Sequence, residues 1–434
     1  MLFLVLFQKQ LLKREPVLVS SPLMSTTHAE SGSAQRGPGA FEAQTVESIG
    51  AVRHALARVI ESKCPGSKAV SSVCDAFGIH RKLAWQLVKV VYSEDPFVAA
   101  RHMPSPKSFS VWLDAARGSG VPGAMVDDAE RAAAGFESLA EAHAASRTEF
   151  EMLLESCVGD ADADTKWRER AFEGNSYIWG VRCRVLLSMS VLLASDDREG
   201  WFNMAQVRGL LGYRQTRPGV RWIVNQSVVL EGDAPPPVQR EPMDPEAAAG
   251  HGGVPVLGAY CSQPMPSLRR VRATGGILQD EMLPGAVGKR GERTLVTGEL
   301  VRNISTASGK AGRVANFGIG VRIPAETLHF DLFVQKGLFP TAERELRVFS
   351  DLASQTSADE ADALPVGERI VSLGAGLAMA HTPDVGSYAQ LAAGVFSMLG
   401  VDPGGFELHR VRVPHPPMPS SVMMRHRFSG GDTE

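Results

Sequence analysis

The chain has 434 residues, 44% of them hydrophobic and 21% charged, and a net charge of −3. Such a composition supplies sizeable cores, and the length leads us to expect two or three domains. A near-neutral balance argues against a protein that coats nucleic acid non-specifically, but it leaves room for a local basic patch.

Residues 2–7 form a short apolar run, followed by Lys9, Lys13 and Arg14. The charges follow the apolar core rather than precede it, unlike a signal peptide, and the run is too short to span a bilayer. Residues 1–42 as a whole are rich in Ser, Gly, Ala and Pro and read as disordered. Five cysteines (Cys64, Cys74, Cys157, Cys183 and Cys261) contain no CxxC pair. This is neither a disulfide framework nor a zinc knuckle, and it fits free thiols in a reducing cytoplasm.

From residue 43 to 213 the pattern reads as helical. Val46, Ile49, Val52, Leu56 and Ile60 recur at helical spacing and predict a first helix. Residues 67–90, SKAVSSVCDAFGIHRKLAWQLVKV, read as two short helices around a tight turn. Ser67 is expected to cap the first of them, and Gly78 supplies the positive φ that the turn needs. Val73, Phe77, Ile79, Ala84 and Leu87 are expected to close the small core, with Cys74 where the two backbones approach. These residues resemble a helix-turn-helix DNA-binding unit, with Cys74 standing where that family usually has Ala. The resemblance implies that the second helix enters the major groove of double-stranded DNA. On the positions matching the family pattern, His80, Arg81, Lys82, Trp85, Gln86 and Lys89 would meet bases or flanking phosphates. The competing reading is a solvated helix face, with Trp85 packed on a later helix.

After this segment, Glu94-Asp95-Pro96 starts a helix that runs through Ala100, and Pro104 and Pro106 break it. A helix over 107–117 carries Phe109, Trp112 and Leu113 on one side. Two more are predicted over 125–144 and 147–157. A long helix over 165–194 holds Trp167, Phe172, Tyr177 and Trp179, and its apolar second half suits a buried helix or a dimer interface. A shorter helix near 201–211 completes the region.

Residues 219–230 switch to β-branched residues and read as extended. Residues 231–253 hold three consecutive prolines, further prolines and a Gly-rich end, and read as a linker without packed structure. Within 254–428, strands are expected over 294–302, 314–323, 327–335, 369–373, 406–413 and 421–428, and helices near 342–353 and 388–399. The fold class is therefore multidomain. An all-α N-terminal region (43–213) is followed by an extended segment and linker (214–253), an α+β domain with a mixed or antiparallel sheet (254–428) and a tail (429–434).

The C-terminal half offers no catalytic motif. Gly374 and Gly376 follow a strand, but Met379 stands where a dinucleotide fingerprint needs Gly or Ala. No P-loop and no GxSxG elbow is present. His329 and Asp331 share a strand face and invite partners among His381, Asp384, His409, His415 and His426, yet none has the spacing of a metal motif. Asp280 and Glu281 are adjacent and point to opposite faces of a strand. Arg269, Arg270 and Arg272 form a small basic cluster that reads as solvated or ion-paired. No catalytic residue, metal ligand or cofactor is assigned.

The sequence reading is thus a cytoplasmic, sequence-specific binder of double-stranded DNA, most simply a transcriptional regulator. The long helix would support a homodimer, the C-terminal domain would take a small-molecule or protein partner, and no membrane association is expected. Three rivals stay open: a scaffold with a structural helical pair, an enzyme with an unrecognised C-terminal site, and a plasmid-partition or phage-type DNA binder. One explanation of the first 23 residues is a translation start at Met24 rather than Met1, and the sequence leaves the two open. An intact mass of the native protein that includes residues 2–23 would overturn that explanation.

Overall fold

The computed structural model describes residues 40–158, 161–228, 239–273, 277–307, 314–339, 342–352 and 359–428. The expectations for residues 1–39, for the triple proline and for the tail lie outside the described residues. The chain forms two compact units that meet in sequence at Asp164 and Thr165.

The first unit is helical. It contains α1 (Ala40–Lys63), α2 (Val70–Phe77), α3 (Arg81–Tyr92), α4 (Pro96–Arg101), α5 (Pro106–Gly118), α6 (Gly123–His143) and α7 (Arg147–Val158). The 3.6-residue periodicity does what it predicts: Ile49, Val52, Leu56, Val59 and Ile60 of α1 are all at 0% exposure. Val46, from the same apolar series, is 45% exposed. Asp95 caps α4 by accepting from the Phe97 and Val98 amides, with Pro96 in the first turn. Trp112 of α5 is fully buried and packs on Phe77 and Phe109, with ring centroids 6.2 and 5.3 Å away.

The expected long helix over 165–194 is two elements. α8 (Ala161–Trp179) ends at Gly180, which has φ 71°, and β1 (Val181–Ala194) comes directly after it. The expected helix over 201–211 lies inside β2 (Trp201–Gln215). The helical region is therefore residues 40–179, and from β1 onward the chain is sheet-rich. β1 is buried along almost its whole length, so its apolar run is continuous rather than alternating and resembles a buried helix in sequence.

β3 (Trp222–Val228) comes next, then β4 (Gln239–Pro242) and α9 (Pro245–Gly250). The last two occupy part of the expected linker. β4 pairs with a later strand at the sheet edge, where proline is tolerated, and Asp244 caps α9 through the Ala247 amide. The chain continues through β5 (Leu268–Ala273), β6 (Ile277–Met282), β7 (Arg293–Thr306), β8 (Val314–Val321), β9 (Ala325–Gln335) and β10 (Ala342–Ser350). The helix expected near 342–353 is thus a strand. The chain closes with β11 (Ala363–Leu364), β12 (Val371–Ala375), α10 (Tyr388–Leu399), β13 (Phe406–Pro414) and β14 (Ser420–Phe428).

The main sheet has the order β12-β13-β9-β1-β2-β7-β4 and is mixed: β1 and β9 run parallel and the other neighbours antiparallel. A second sheet, β11-β10-β14-β8, is antiparallel, as is a third, β3-β6-β5. Leu328, Phe330, Leu332 and Val334 of β9 share a core with Phe317, Val422 and Met424 of the second sheet. Phe333, on the opposite face of β9, shares a core with Leu391, Val395 and Phe396 of α10. The main sheet is therefore sandwiched between the second sheet and α10.

Gly78, between α2 and α3, has φ 63° and ψ 32°, and a Cβ added there would meet nothing within 4 Å. Gly78→Ala should therefore cost only the left-handed strain, about 1–2 kcal/mol. Denaturant unfolding of the full chain, followed at a probe in the helical unit, checks it, and an unchanged midpoint would contradict it.

Candidate nucleic-acid interface

The helical pair is built from an inward and an outward set. Val73, Phe77, Ile79, Ala84 and Leu87 are buried as expected, while Cys74 is only half-buried. The Cys74 carbonyl accepts from the Gly78 amide and, at 3.3 Å, from the Ile79 amide, which closes α2 onto the turn. Ser67 does not cap α2. The cap position is Ala69, which forms no side-chain bond, and Ser67 Oγ accepts from the Ala69 amide at 3.3 Å and donates to Ser72 Oγ at 2.9 Å.

The cap the sequence did not reveal is His80. Its Nδ1 accepts from the Lys82 amide at 3.3 Å, so His80 fixes the start of α3. Its place immediately before the helix was the available signal. Arg81, Lys82 and Lys89 are exposed on one side of α3, opposite Ala84 and Leu87. Trp85 shares that side at 41% exposure. It meets the ring of His102 edge-to-face at 5.0 Å, and Lys89 Nζ sits 6.0 Å from its centroid. Burial, with Arg101 and Lys89 nearby, holds the His102 pKa below its ordinary value. Gln86 is half-buried and borders a hollow beside α3.

Arg81 differs from the other described arginines of the unit. Arg58 and Arg131 pair with Asp128, Arg101 with Glu155, Arg117 with Asp114, Asp127 and Glu130, and Arg147 with Glu151. Arg53 donates to the Val91 and Ser93 carbonyls. Arg81 has no such partner among the described residues, nor do Lys82 and Lys89 have a carboxylate. Lys68, just before α2, lies 5.3 Å from the ring of Tyr92 at the end of α3. Residues 67–90 hold four cations against a single carboxylate, Asp75, in a chain that is net acidic.

The second unit gathers polar groups inside its layers. His329 and Asp331 are both at 0% exposure. Pairing of β9 with β13 sets Arg410 across from Asp331, and the guanidinium grips the carboxylate at 2.8 Å from both Nε and Nη2. Tyr388, the first residue of α10, donates to the same carboxylate at 2.6 Å. His329 Nε2 lies 3.3 Å from Asp331 Oδ1, an electrostatic contact without hydrogen-bond geometry, and Nδ1 lies 3.9 Å from Asp384. Burial alone would raise the Asp331 carboxyl, but Arg410 and His329 outweigh it and hold it below the usual carboxylate range. Burial and the Asp331 charge push the Tyr388 hydroxyl well up. The Asp331 oxygens are thus taken up by Arg410 and Tyr388, an arrangement that binds α10 to the sheet.

Of the remaining sequence candidates, Asp384 lies near His329, and His409 and His426 lie near each other. Asp384 is held by Arg412, His409 and His426 are buried, and His415 packs on Phe172. Among the described residues no group of three or more His, Cys, Asp or Glu is arranged to hold a metal ion. Glu281 is clamped by Arg221 and Arg269, and Asp280 by Arg270 and Asn225, so the basic cluster at 269–270 is ion-paired. Gly374 lies in edge strand β12 and no helix opens behind it until Tyr388. No helix among the described residues is long and apolar enough to cross a membrane.

No family model and no curated protein matches the chain. Among solved structures, a proposed protease from Parabacteroides distasonis ATCC 8503 is similar over 57% of this chain, at 7% identity and a TM-score of 0.26. The match spans 40% of that protein's length, and a likeness of this grade carries no argument about fold or function.

Burial, with Arg344 nearby, pushes the His409 pKa down to about 4 and that of His426 to about 3. An unfolded histidine takes its proton near 6.5. Below that pH the unfolded chain binds a proton that folded His426 refuses. Its stabilising contribution is therefore intact above about pH 6.5 and erodes by about 1.4 kcal/mol per pH unit as the pH falls toward its folded value. His426→Leu should flatten the acid limb of the stability curve between pH 6 and 4 by about one proton, and parallel limbs would refute the assignment.

Proposed function

We propose that the helical unit binds double-stranded DNA sequence-specifically, with α3 in the major groove, and that the chain regulates transcription. The observation that supports this best is the outward face of α3. It carries Arg81, Lys82 and Lys89 without carboxylate partners, whereas the other arginines among the described residues of the unit are engaged by carboxylates or carbonyls. Unpaired exposed cations are strongly solvated and available, and phosphates draw them out with release of counterions. On this reading Arg81 and Gln86 read base edges, and Lys68, Lys82 and Lys89 bind phosphates. His80 positions the helix start and Trp85 packs partly on His102, so neither is a principal base contact. The sheet-rich unit would sense a ligand or recruit a partner, and two-fold operators would make the binder a homodimer.

Selection of the purified chain against a random duplex pool tests the reading. A defined site should be enriched, and the triple variant Arg81→Ala, Lys82→Ala, Gln86→Ala should lose it. Lys89→Ala should weaken all sequences about equally and lower the log–log salt slope by about 1, whereas Arg81→Ala should relax specificity at a single position. Absence of enrichment from a folded wild-type chain would make the helical pair structural and move the search for function to the sheet-rich unit.

A further inference from the structure

A hollow of about 810 Å³ opens beside α3, within the helical unit. α3 supplies Lys82, Leu83 and Gln86 to its wall, and Met103, Val111 and Glu137 come from the segments around α4, α5 and α6. Its size is that of small-molecule sites, which run to several hundred Å³ and join an apolar floor to a few polar groups.

Most of the charge lining this hollow is already satisfied. Arg147 reaches Glu151 at 3.3 Å and the Met103 carbonyl at 3.1 Å. Arg101 reaches Glu155 at 3.3 Å. Two lining charges are left over, Lys82 on α3 and Glu137 on α6, with no ion-pair partner among the described residues and none in each other. They have opposite signs and stand on different helices, with Leu83, Met103 and Val111 as the apolar lining. The complement of such a surface is a molecule with a carboxylate at one end, an ammonium at the other and an apolar body.

We infer that this hollow binds a short zwitterionic peptide with apolar side chains. Its C-terminal carboxylate meets Lys82, its N-terminal ammonium meets Glu137, its side chains lie on Leu83, Met103 and Val111, and the Gln86 amide bonds to its backbone. Lys82 and Gln86 also belong to the DNA face proposed above, so a bound peptide withdraws them and competes with DNA. Only this last consequence rests on the DNA-binding reading.

Calorimetry of the full chain with trileucine, N-acetyl-trileucine and trileucine amide tests the site without DNA. Trileucine should bind, and either cap should weaken it at least about tenfold. Lys82→Ala should weaken trileucine and become indifferent to amidation, and Glu137→Gln should weaken it and become indifferent to acetylation. Lys82 is exposed and Glu137 half-buried, and circular dichroism checks that both variants fold. No binding of trileucine, or equal binding of the capped peptides, overturns the proposal. A second titration monitors displacement of the selected duplex. Glu137→Gln should keep DNA affinity but need at least about tenfold more trileucine for release. Trileucine that binds without displacing DNA removes the competition and keeps the site. A chain that binds trileucine but no DNA refutes the DNA reading alone.

Discussion

The parallel pairing of β1 with β9 is the contact around which the second unit is built. Leu187 lies beside His329 and Met189 beside Asp331, and both strands are covered on both faces. A strand in that position has no solvent side on which to put polar residues. Asp331 is nonetheless there, and an unpaired buried carboxylate would cost several kcal/mol. The cost is met locally, by Arg410 from the neighbouring strand and by Tyr388 from the helix above. The same three residues join two layers of the sandwich, so a charged point of the core also fixes where α10 lies.

Much of the architecture could be read from the chain. The helices of the first unit were legible because each buries one stripe, and Ile49, Val52 and Leu56 keep helical register. β9 was legible through its period-two alternation of Leu328, Phe330, Leu332 and Val334. β1 was not, because a strand buried on both faces shows an unbroken apolar run. β10 was misread for a different reason. Its Glu, Arg and Leu residues favour helices, but in the structure Glu345 answers Arg347 along the strand and Arg425 and Arg427 across it. The proline-rich segment concealed β4, whose Glu241 pairs with Arg302, because composition does not register edge pairing.

At the candidate site, spacing alone separated the inward residues of α2 and α3 from the outward ones. Availability was not legible. Arg81 and Arg58 look alike in sequence, yet Arg58 meets Asp128 from a helix distant in the chain, while Arg81 meets nothing comparable among the described residues. The hollow beside α3 was equally hidden, since its wall is assembled from segments that are remote in the chain. Such properties depend on long-range neighbours, and no local pattern encodes them.

The β1–β9 pairing also orders events in time. Synthesis proceeds from the N-terminus, so the helical unit, which closes on itself before Thr165, is complete while much of the chain is still unmade. β1 and β2 form a hairpin soon after, but the parallel neighbour of β1 emerges only after six further strands of the described chain, and β13 arrives later still. In that interval a long apolar strand presents an open edge to every other nascent chain nearby. The same register that makes the finished sheet deep makes its assembly the step at which the protein is most exposed to aggregation.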